Sequence, residues 1–285
     1  MIRLGGPLMG LQTQDPREIA RAHKDYGFTA AYCPDPLTVE QSDPVREVRE
    51  GFAAEDVVIA EVGAWCNMIA AEEERRATNQ QYVRDRLALA EEVGARCCVD
   101  FVGSVAPGTD YGPDPRNLAR EGFDLTVETV RKIIDAVQPK RTKFCLEMMQ
   151  WVLPDNVQVY KELIEAVDRP AFAVHLDPVN IIVSPRMYFD TASVLKECFR
   201  VLGPWVVSCH AKDLTLHGDL ALHFDEVPMG QGNMDYTAYL KGLDALPGEV
   251  PLMLEHLETQ EQYAAARDHV MQVAREAGVT LKQPA

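Results

Sequence analysis

The chain has 285 residues, of which 47% are hydrophobic and 25% charged, as in an ordinary globular protein that can bury a large core without disulfide bonds. Its net charge of −16 opposes binding to a phosphate backbone, so we expect no nucleic-acid partner. There is no apolar run of about 18 residues and no signal-peptide pattern, so we expect a cytoplasmic protein with no membrane partner.

Short apolar runs alternate with longer amphipathic stretches along the whole chain. The runs that predict strands cover residues 2–4, 28–33, 57–62, 96–102, 142–146, 171–176, 205–209 and 251–254. A first helix is predicted to begin near Asp15-Pro16, a capping residue followed by proline. The later stretches that predict helices cover residues 44–54, 72–93, 116–137, 155–167, 187–202, 236–246 and 258–277, with a long loop before residue 236.

These predicted strands are continuous apolar runs, which is typical of parallel strands covered on both faces. Eight strand–helix units in a chain of this length predict an α/β fold, a single (β/α)8 TIM barrel over residues 1–285. An open doubly wound sheet usually carries a glycine-rich phosphate turn after its first strand, and Gly5-Gly6 lacks that spacing. The seven cysteines show neither a disulfide framework nor a C-x-x-C pair, which favours buried thiols.

The active site of such a barrel lies at the carboxyl ends of its strands. The last four predicted strands each end in one metal-capable residue: Glu147, Asp177, His210 and Glu255. One such residue alone is more often a helix cap or a solvated side chain, but three carboxylates at one rim repel one another unless a cation joins them. The oxygen-rich set predicts one divalent ion, Mn²⁺ or Mg²⁺, with Co²⁺ and Zn²⁺ left open. His175 is expected to point away from Asp177 and to be structural.

With these motifs the chain resembles the xylose isomerase-like TIM barrels of the sugar phosphate isomerase/epimerase group, which includes ketose 3-epimerases, hydroxypyruvate isomerases and inosose dehydratases. The resemblance covers the whole chain and is strongest at Leu146-Glu147, His175-Leu176-Asp177-Pro178, His210-Ala211-Lys212-Asp213, Gly230-Gln231-Gly232 and Leu254-Glu255. It implies that Glu147, Asp177, His210 and Glu255 hold one metal ion. It also implies that Glu147 and Glu255 are the catalytic acid and base.

Two positions depart from the ketose 3-epimerase pattern. The histidine that those enzymes carry three residues after the ligand aspartate is Asn180 here, and no arginine occurs in the stretch 214–217 after the ligand histidine. The string His210-x-Lys212-Asp213 is more similar to the dehydratase and lyase branches, although a salt bridge at the rim would also account for it.

Candidates for substrate binding follow the predicted strands: Trp65, Gln150, Asn180, Lys212 and Asp213. An indole can wall a pocket or simply pack, and an amide can bind a sugar hydroxyl or cap a helix. Gly230-Gln231-Gly232 could bring a loop close to a ligand or form a plain turn. His256, directly after a predicted ligand, is expected beside the metal site.

The leading hypothesis is a metal-dependent sugar isomerase or epimerase that removes a proton next to the carbonyl of a ketose or keto-sugar, through an enediolate intermediate. The alternative is a metal-dependent lyase or dehydratase that expels a β leaving group from a keto-sugar or keto-cyclitol. A non-catalytic binding barrel and a three-zinc DNA-repair endonuclease are less favoured. We expect a small carbohydrate as substrate, and a homo-oligomer stays open.

Overall fold

Eight parallel strands close into one barrel in a computed structural model that describes residues 1–284. The barrel strands are β1 (Ile2–Gly5), β2 (Ala30–Tyr32), β3 (Val58–Gly63), β4 (Cys97–Asp100), β5 (Lys143–Leu146), β6 (Phe172–Leu176), β7 (Val206–Ala211) and β10 (Val250–Leu254). Each pairs with its neighbour in chain order, and β10 pairs with both β7 and β1 to close the barrel. The predicted (β/α)8 barrel is confirmed.

Helices follow the strands and cover the outside of the barrel. They are α1 (Pro16–Tyr26), α2 (Ser42–Ala54), α3 (Glu73–Val93), α4 (Arg120–Val137), α5 (Val157–Val167), α6 (Pro185–Tyr188), α7 (Thr191–Leu202), α8 (Tyr236–Asp244) and α9 (Gln260–Ala277). The first begins as the sequence predicts, because the Asp15 carboxylate accepts the backbone N–H groups of Arg17 and Glu18 ahead of a proline in the first turn.

The helix predicted over residues 187–202 is in fact two helices. The short α6 begins after Ser184, and a break at Phe189 and Asp190 separates it from α7. Asp190 accepts the backbone N–H of Ser193 and so caps the second helix. Apolar residues keep a helical spacing through both segments, so this pattern predicts one continuous helix. Only the capping side chain of Asp190 marks the break.

The segment predicted as a long loop after the seventh strand contains an antiparallel hairpin. Its arms are β8 (Asp213–Leu216) and β9 (Phe224–Val227), and Lys212 alone separates β7 from β8. The hairpin stands outside the barrel sheet, at the rim where the carboxyl ends of the strands lie. The predicted long loop therefore contains two strands that the sequence did not indicate.

The main core lies between the barrel and its helices and contains large buried side chains such as Phe28, Phe52 and Phe144. Burying one aromatic side chain of this kind contributes roughly 1.5–3 kcal/mol. A smaller cluster of Cys97, Val99, Cys145 and Ala173 packs together separately from that core. All seven cysteines are free thiols. Within residues 1–284, no helix combines the length and the apolar character that crossing a membrane requires.

Candidate metal centre

All four predicted metal ligands meet at the carboxyl end of the barrel. Glu147 follows β5, Asp177 follows β6, His210 lies near the end of β7, and Glu255 follows β10. Each offers one ligand atom, and these four atoms lie within 4.8 Å of one another. Asp177 and His210 are fully buried, and the two glutamates lie slightly nearer the solvent. Four neighbouring strands thus deliver three carboxylates and one imidazole to a single point.

The distances inside this cluster fit a divalent cation. His210 Nδ1 lies 2.9 Å from Glu255 Oε2, 3.2 Å from Glu147 Oε1 and 3.6 Å from Asp177 Oδ2. Both oxygens of Asp177 and Oε2 of Glu255 are buried without a well-directed hydrogen bond. Buried carboxylate oxygens without donors are costly, and a cation that coordinates them removes the cost.

Lys212 brings a positive charge to the same carboxylates. Its Nζ lies 2.8 Å from Asp177 Oδ2 and 2.9 Å from Glu255 Oε2, close enough for an ion pair, although the direction of approach is not that of a hydrogen bond. Only 4% of the residue is exposed. The ammonium therefore balances part of the negative charge of the cluster.

The carboxylates of the cluster differ in proton affinity. Burial raises the pKa of Glu147 above its ordinary value, and the neighbouring His210 only partly offsets this. Burial acts in the same direction on Glu255, but His210 and Lys212 outweigh it and lower its pKa to about 2. Burial is likewise outweighed at Asp177, where the charges of Lys212 and His210 hold the pKa well below the ordinary value. Glu147 is therefore the carboxylate that takes up a proton most readily.

A fully buried glutamate behind the cluster contacts its histidine, a candidate metal ligand. Glu61, on β3, faces His210 with Oε2 3.2 Å from Nε2, on the ring edge opposite the ligand atom. Its other oxygen lies 3.0 Å from His175 Nε2 and accepts the Ser208 hydroxyl at 2.5 Å. A carboxylate at Nε2 favours the tautomer that carries its proton there, which leaves the Nδ1 lone pair for a metal.

Sequence reasoning missed Glu61 and misplaced His175. Glu61 lies inside the apolar run Val57–Val62, and a charged residue in a buried strand is a signal that a paired polar group faces it. His175 was expected to point away from Asp177. Side chains alternate with a period of two, so residues 175 and 177 share a face, and the His175 ring lies 4.1 Å from that of His210.

Buried tyrosines from the surrounding helices fix the strand ends that carry the site. Tyr239 on α8 donates to the carbonyl of His210 at 2.8 Å, and Tyr236 donates to the carbonyl of Lys212 at 2.9 Å. On α5, the Tyr160 hydroxyl donates to the carbonyl of Leu146, next to Glu147, at 2.6 Å. These bonds satisfy backbone groups where the strands leave the sheet, and they hold the candidate ligands in place.

A pocket of about 430 Å³ opens above the cluster, a size suited to a small ligand. Four of the five predicted substrate-binding residues line it: Trp65, Gln150, Asn180 and Lys212. The Asn180 amide also donates to Glu147 Oε1 at 3.3 Å and so lies against a metal-ligand candidate. The remaining lining residues are Phe101, Tyr111, Glu147, Met149, Trp151, Glu226, Glu255 and His256.

Aromatic rings form one wall of the pocket. Trp65 stacks on Phe101 with ring centres 6.5 Å apart, Phe101 meets Tyr111 edge-on at 5.6 Å, and Tyr111 stacks on Trp151 at 6.5 Å. Trp65 has a backbone φ of 44°, an unfavourable value for a bulky residue. Its indole folds back over Gly63, where a Cβ atom would lie only 2.1 Å from Trp65 Nε1. We call the four residues Trp65, Phe101, Tyr111 and Trp151 the aromatic wall.

Asp213, the fifth candidate for substrate contact, lies below the pocket surface. Its Oδ2 accepts the backbone N–H groups of Gly230 and Gly232 at 2.9 and 3.0 Å, and its Oδ1 accepts that of Met234 at 2.9 Å. A Cβ atom on Gly232 would lie 2.2 Å from Asp213 Oδ1, so the glycine permits this close approach. The geometry favours a loop-anchoring role for Asp213 over substrate contact.

The hairpin contributes Glu226, which the sequence did not indicate. Its carboxylate lies 3.8 Å from Lys212 Nζ and 2.7 Å from His256 Nδ1, and the second His256 nitrogen lies 3.4 Å from Glu255 Oε1. This hydrogen bond to Glu226 raises the pKa of His256 above its ordinary value. His256 thus lies beside the candidate metal centre, as expected, and links it to the hairpin.

The fold and the cluster together define a class: a (β/α)8 barrel with a candidate divalent-metal centre at the carboxyl end of its strands. The sequence model of the xylose isomerase-like TIM barrel family matches residues 13–276, and the chain belongs to this family. No curated protein matches the chain.

Three solved structures illustrate the shared architecture. A xylose isomerase-like TIM barrel protein from Mycobacterium smegmatis, in complex with magnesium, is 18% identical with a TM-score of 0.66, over 96% of this chain and 97% of that chain. D-psicose 3-epimerase with D-tagatose from Clostridium cellulolyticum is 11% identical with a TM-score of 0.68. The match covers 98% of this chain and 100% of that chain. Endonuclease IV from Thermus thermophilus is 17% identical with a TM-score of 0.69. The match covers 96% of this chain and 99% of that chain. At such identities the likeness shows the fold alone.

Proposed function

We propose that the protein is a divalent-metal-dependent isomerase or epimerase that moves a proton next to the carbonyl of an unphosphorylated ketose or keto-sugar. The observation that carries this proposal is the pair Glu147 and Glu255, two carboxylates of unequal proton affinity whose oxygens belong to one four-residue ligand cluster. The oxygen-rich ligand set favours Mn²⁺ or Mg²⁺. When bound, this cation would supply Lewis-acid stabilisation of the oxyanion that forms.

The two glutamates take different parts in the proton transfer. Glu147, with its raised pKa and with Asn180 donating to Oε1, is suited to accept the proton from carbon. Glu255 stays ionised beside the Lys212 ammonium, whose Nζ lies 2.9 Å from Oε2. In this scheme Lys212 gives a proton to Glu255, Glu255 passes it to the substrate, and Lys212 regains a proton from solvent while Glu147 releases to solvent the one it removed. Reprotonation at the same carbon from the other side gives an epimer, and reprotonation at the neighbouring carbon gives an isomer.

The pocket favours a neutral sugar. No arginine lines it among the described residues, and Lys212 is already paired with Asp177 and Glu255, so a phosphate group would find no free cation. The aromatic wall can pack against the apolar face of a sugar ring. The amides of Gln150 and Asn180 offer donors and acceptors for hydroxyl groups.

Elimination is the second candidate, and Lys212 favours it. Its buried ammonium lies next to one proposed acid-base residue, where it can protonate a leaving group on the β carbon of a keto-sugar. The first step, proton removal next to the carbonyl, is the same in both reactions. The product therefore discriminates between them, since elimination releases water or an alcohol and isomerisation releases nothing.

The test is a panel of unphosphorylated keto-sugars, with phosphorylated counterparts, incubated with enzyme and Mn²⁺ in heavy water and followed by NMR. We expect deuterium to enter at a carbon next to the carbonyl of an unphosphorylated member, together with an isomer or an elimination product. Glu258→Gln is the matched control, because Glu258 is an exposed acid three residues beyond Glu255. Exchange in no member of the panel, with a metal ion bound, would refute the proposal.

A further inference from the structure

The β8–β9 hairpin has two chemically different faces. Its ladder pairs Thr215 with Asp225 and Leu214 with Glu226, and the His217 N–H donates to the His223 carbonyl at 3.0 Å, which extends the ladder by one pair. Because side chains alternate along a strand, one face carries Thr215, His217, His223 and Asp225, and the other carries Leu214, Leu216, Phe224 and Glu226. The second face contains the buried Leu214 and the pocket residue Glu226.

Three side chains converge on the first, outward face. His217 Nε2 lies 2.6 Å from Asp225 Oδ2, and His223 Nε2 lies 2.9 Å from Asp225 Oδ1. The two imidazole rings are 5.1 Å apart, and one ligand atom from each of the three residues lies within 4.8 Å of the others. All three residues are exposed, so an ion can reach them from solution.

Packing does not account for this arrangement. An exposed histidine–aspartate pair contributes little to stability, and here two histidines share one carboxylate. Two protonated imidazoles at this separation would repel each other, whereas two neutral ones bound to a cation would not. Two nitrogens and one carboxylate oxygen, with room for water, form a ligand set that suits Zn²⁺, Ni²⁺, Co²⁺ or Cu²⁺ better than Mg²⁺.

We propose that His217, His223 and Asp225 form a second, surface metal site that binds a transition-metal ion, with Zn²⁺ as the representative case. It differs from the barrel cluster in two respects, since it is nitrogen-rich and exposed while the barrel cluster is oxygen-rich and buried. The two sites share no residue. This inference is therefore independent of the proposed isomerase function.

A metal ion at this site would join the two arms of the hairpin near its tip. His217 extends one arm, and His223 and Asp225 belong to the other. On the opposite face of the same arm, Glu226 lies 2.7 Å from His256 Nδ1 at the pocket. The ion thus steadies the arm that carries a pocket residue, and amide hydrogen exchange over residues 213–227 is expected to slow when Zn²⁺ is added.

The test is modification of histidines with diethyl pyrocarbonate, read residue by residue by mass spectrometry, with increasing Zn²⁺. We expect Zn²⁺ to protect His217 and His223, while Mg²⁺ at the same concentration does not. Asp225→Asn removes a charged ligand and keeps the shape of the side chain, so protection should require at least tenfold more Zn²⁺. Asp219→Asn, an exposed acid in the same hairpin, is the matched control and should behave like the parent.

The same measurement in a His210→Ala background separates this site from the barrel cluster. Protection of His217 and His223 should persist there, whether or not the proposed enzymatic function holds. Equal modification of both histidines with and without Zn²⁺ would overturn the proposal. So would equal protection in the parent and in Asp225→Asn, because the carboxylate would then not be a ligand.

Discussion

In the proposed reaction, Glu147 and Glu255 each serve as metal ligand and as proton carrier. Changing either to Gln keeps the size and one oxygen ligand but removes the basic carboxylate. We expect metal affinity to fall only partly and turnover to fall by about 10²–10⁴, the usual cost of losing a general acid or base. Steady-state kinetics with metal titration checks this, against Glu258→Gln as control.

The two glutamine variants should also differ in hydrogen exchange. Glu147→Gln should abolish deuterium incorporation next to the carbonyl, because Glu147 is the proposed acceptor of that proton. Glu255→Gln should still exchange the proton while releasing little product. Near-normal turnover in both variants, with metal bound, would show that these glutamates are ligands only.

Glu61 is predicted to matter for metal binding although it does not belong to the four-residue ligand cluster. Glu61→Gln weakens the acceptor that orients His210 through Nε2, and we expect a loss of about 10–100-fold in metal affinity. Ser208→Ala removes one hydrogen bond to Glu61 but leaves the carboxylate, so it should have a much smaller effect. Isothermal titration with Mn²⁺ would measure both, and equal affinities in the parent and Glu61→Gln would contradict the positioning role.

Among single residues, the sequence predicted the metal-ligand candidates at the ends of strands but missed the buried glutamate inside a strand. Glu147, Asp177, His210 and Glu255 could be found because each follows or ends an apolar run. The partner of His210 could not be found from spacing, since Glu61 lies 149 residues away along the chain and meets it only across the closed barrel.

Among the elements, sequence patterns missed the hairpin as well as the break between α6 and α7. The arms of the hairpin are short and carry polar and apolar residues, and they pair with each other rather than with the barrel sheet. The barrel strands are continuous apolar runs, so their number and order could be predicted. The pocket residue Glu226 was missed for the same reason as the hairpin that carries it.

The loop over residues 230–234 depends on the hairpin's first residue. Asp213→Asn replaces one of the carboxylate oxygens with a donor, so at least one of the backbone N–H groups of Gly230, Gly232 and Met234 loses its acceptor. We expect the free energy of unfolding to fall by about 1–3 kcal/mol. Urea denaturation would measure this, with Asp219→Asn as the exposed control. An unchanged midpoint would rule out the anchoring role.

For the whole molecule, metal binding to the barrel cluster should raise resistance to unfolding. A ligand at 100 times its Kd stabilises the folded state by about 2.7 kcal/mol if the unfolded chain does not bind it. Melting with and without Mn²⁺ should show the corresponding shift in Tm, and His210→Ala should remove most of it. A shift of the same size in His210→Ala would place the stabilising ion elsewhere.

Net charge also acts on the scale of the whole chain. The value of −16 supports the proposal of a small neutral substrate over a phosphate backbone as partner, although endonuclease IV shares the fold. The pocket supports the same proposal, because its positive charges are already paired with carboxylates.

The one-residue connection between β7 and β8 also constrains how this rim can vary in length. His210, Lys212 and the hairpin are successive parts of a single extended segment, so the barrel strand sets which way each hairpin side chain points. When two residues are inserted into or deleted from an arm, every side chain beyond the change stays on the same face of the hairpin. When the change is one residue, every such side chain moves to the opposite face. Homologous barrels with longer or shorter hairpins should therefore differ by even numbers of residues per arm wherever an acidic residue still points at the pocket. The exposed turn over residues 218–222 can change in length only while His217 stays paired with His223, because the turn sets the register of the two arms.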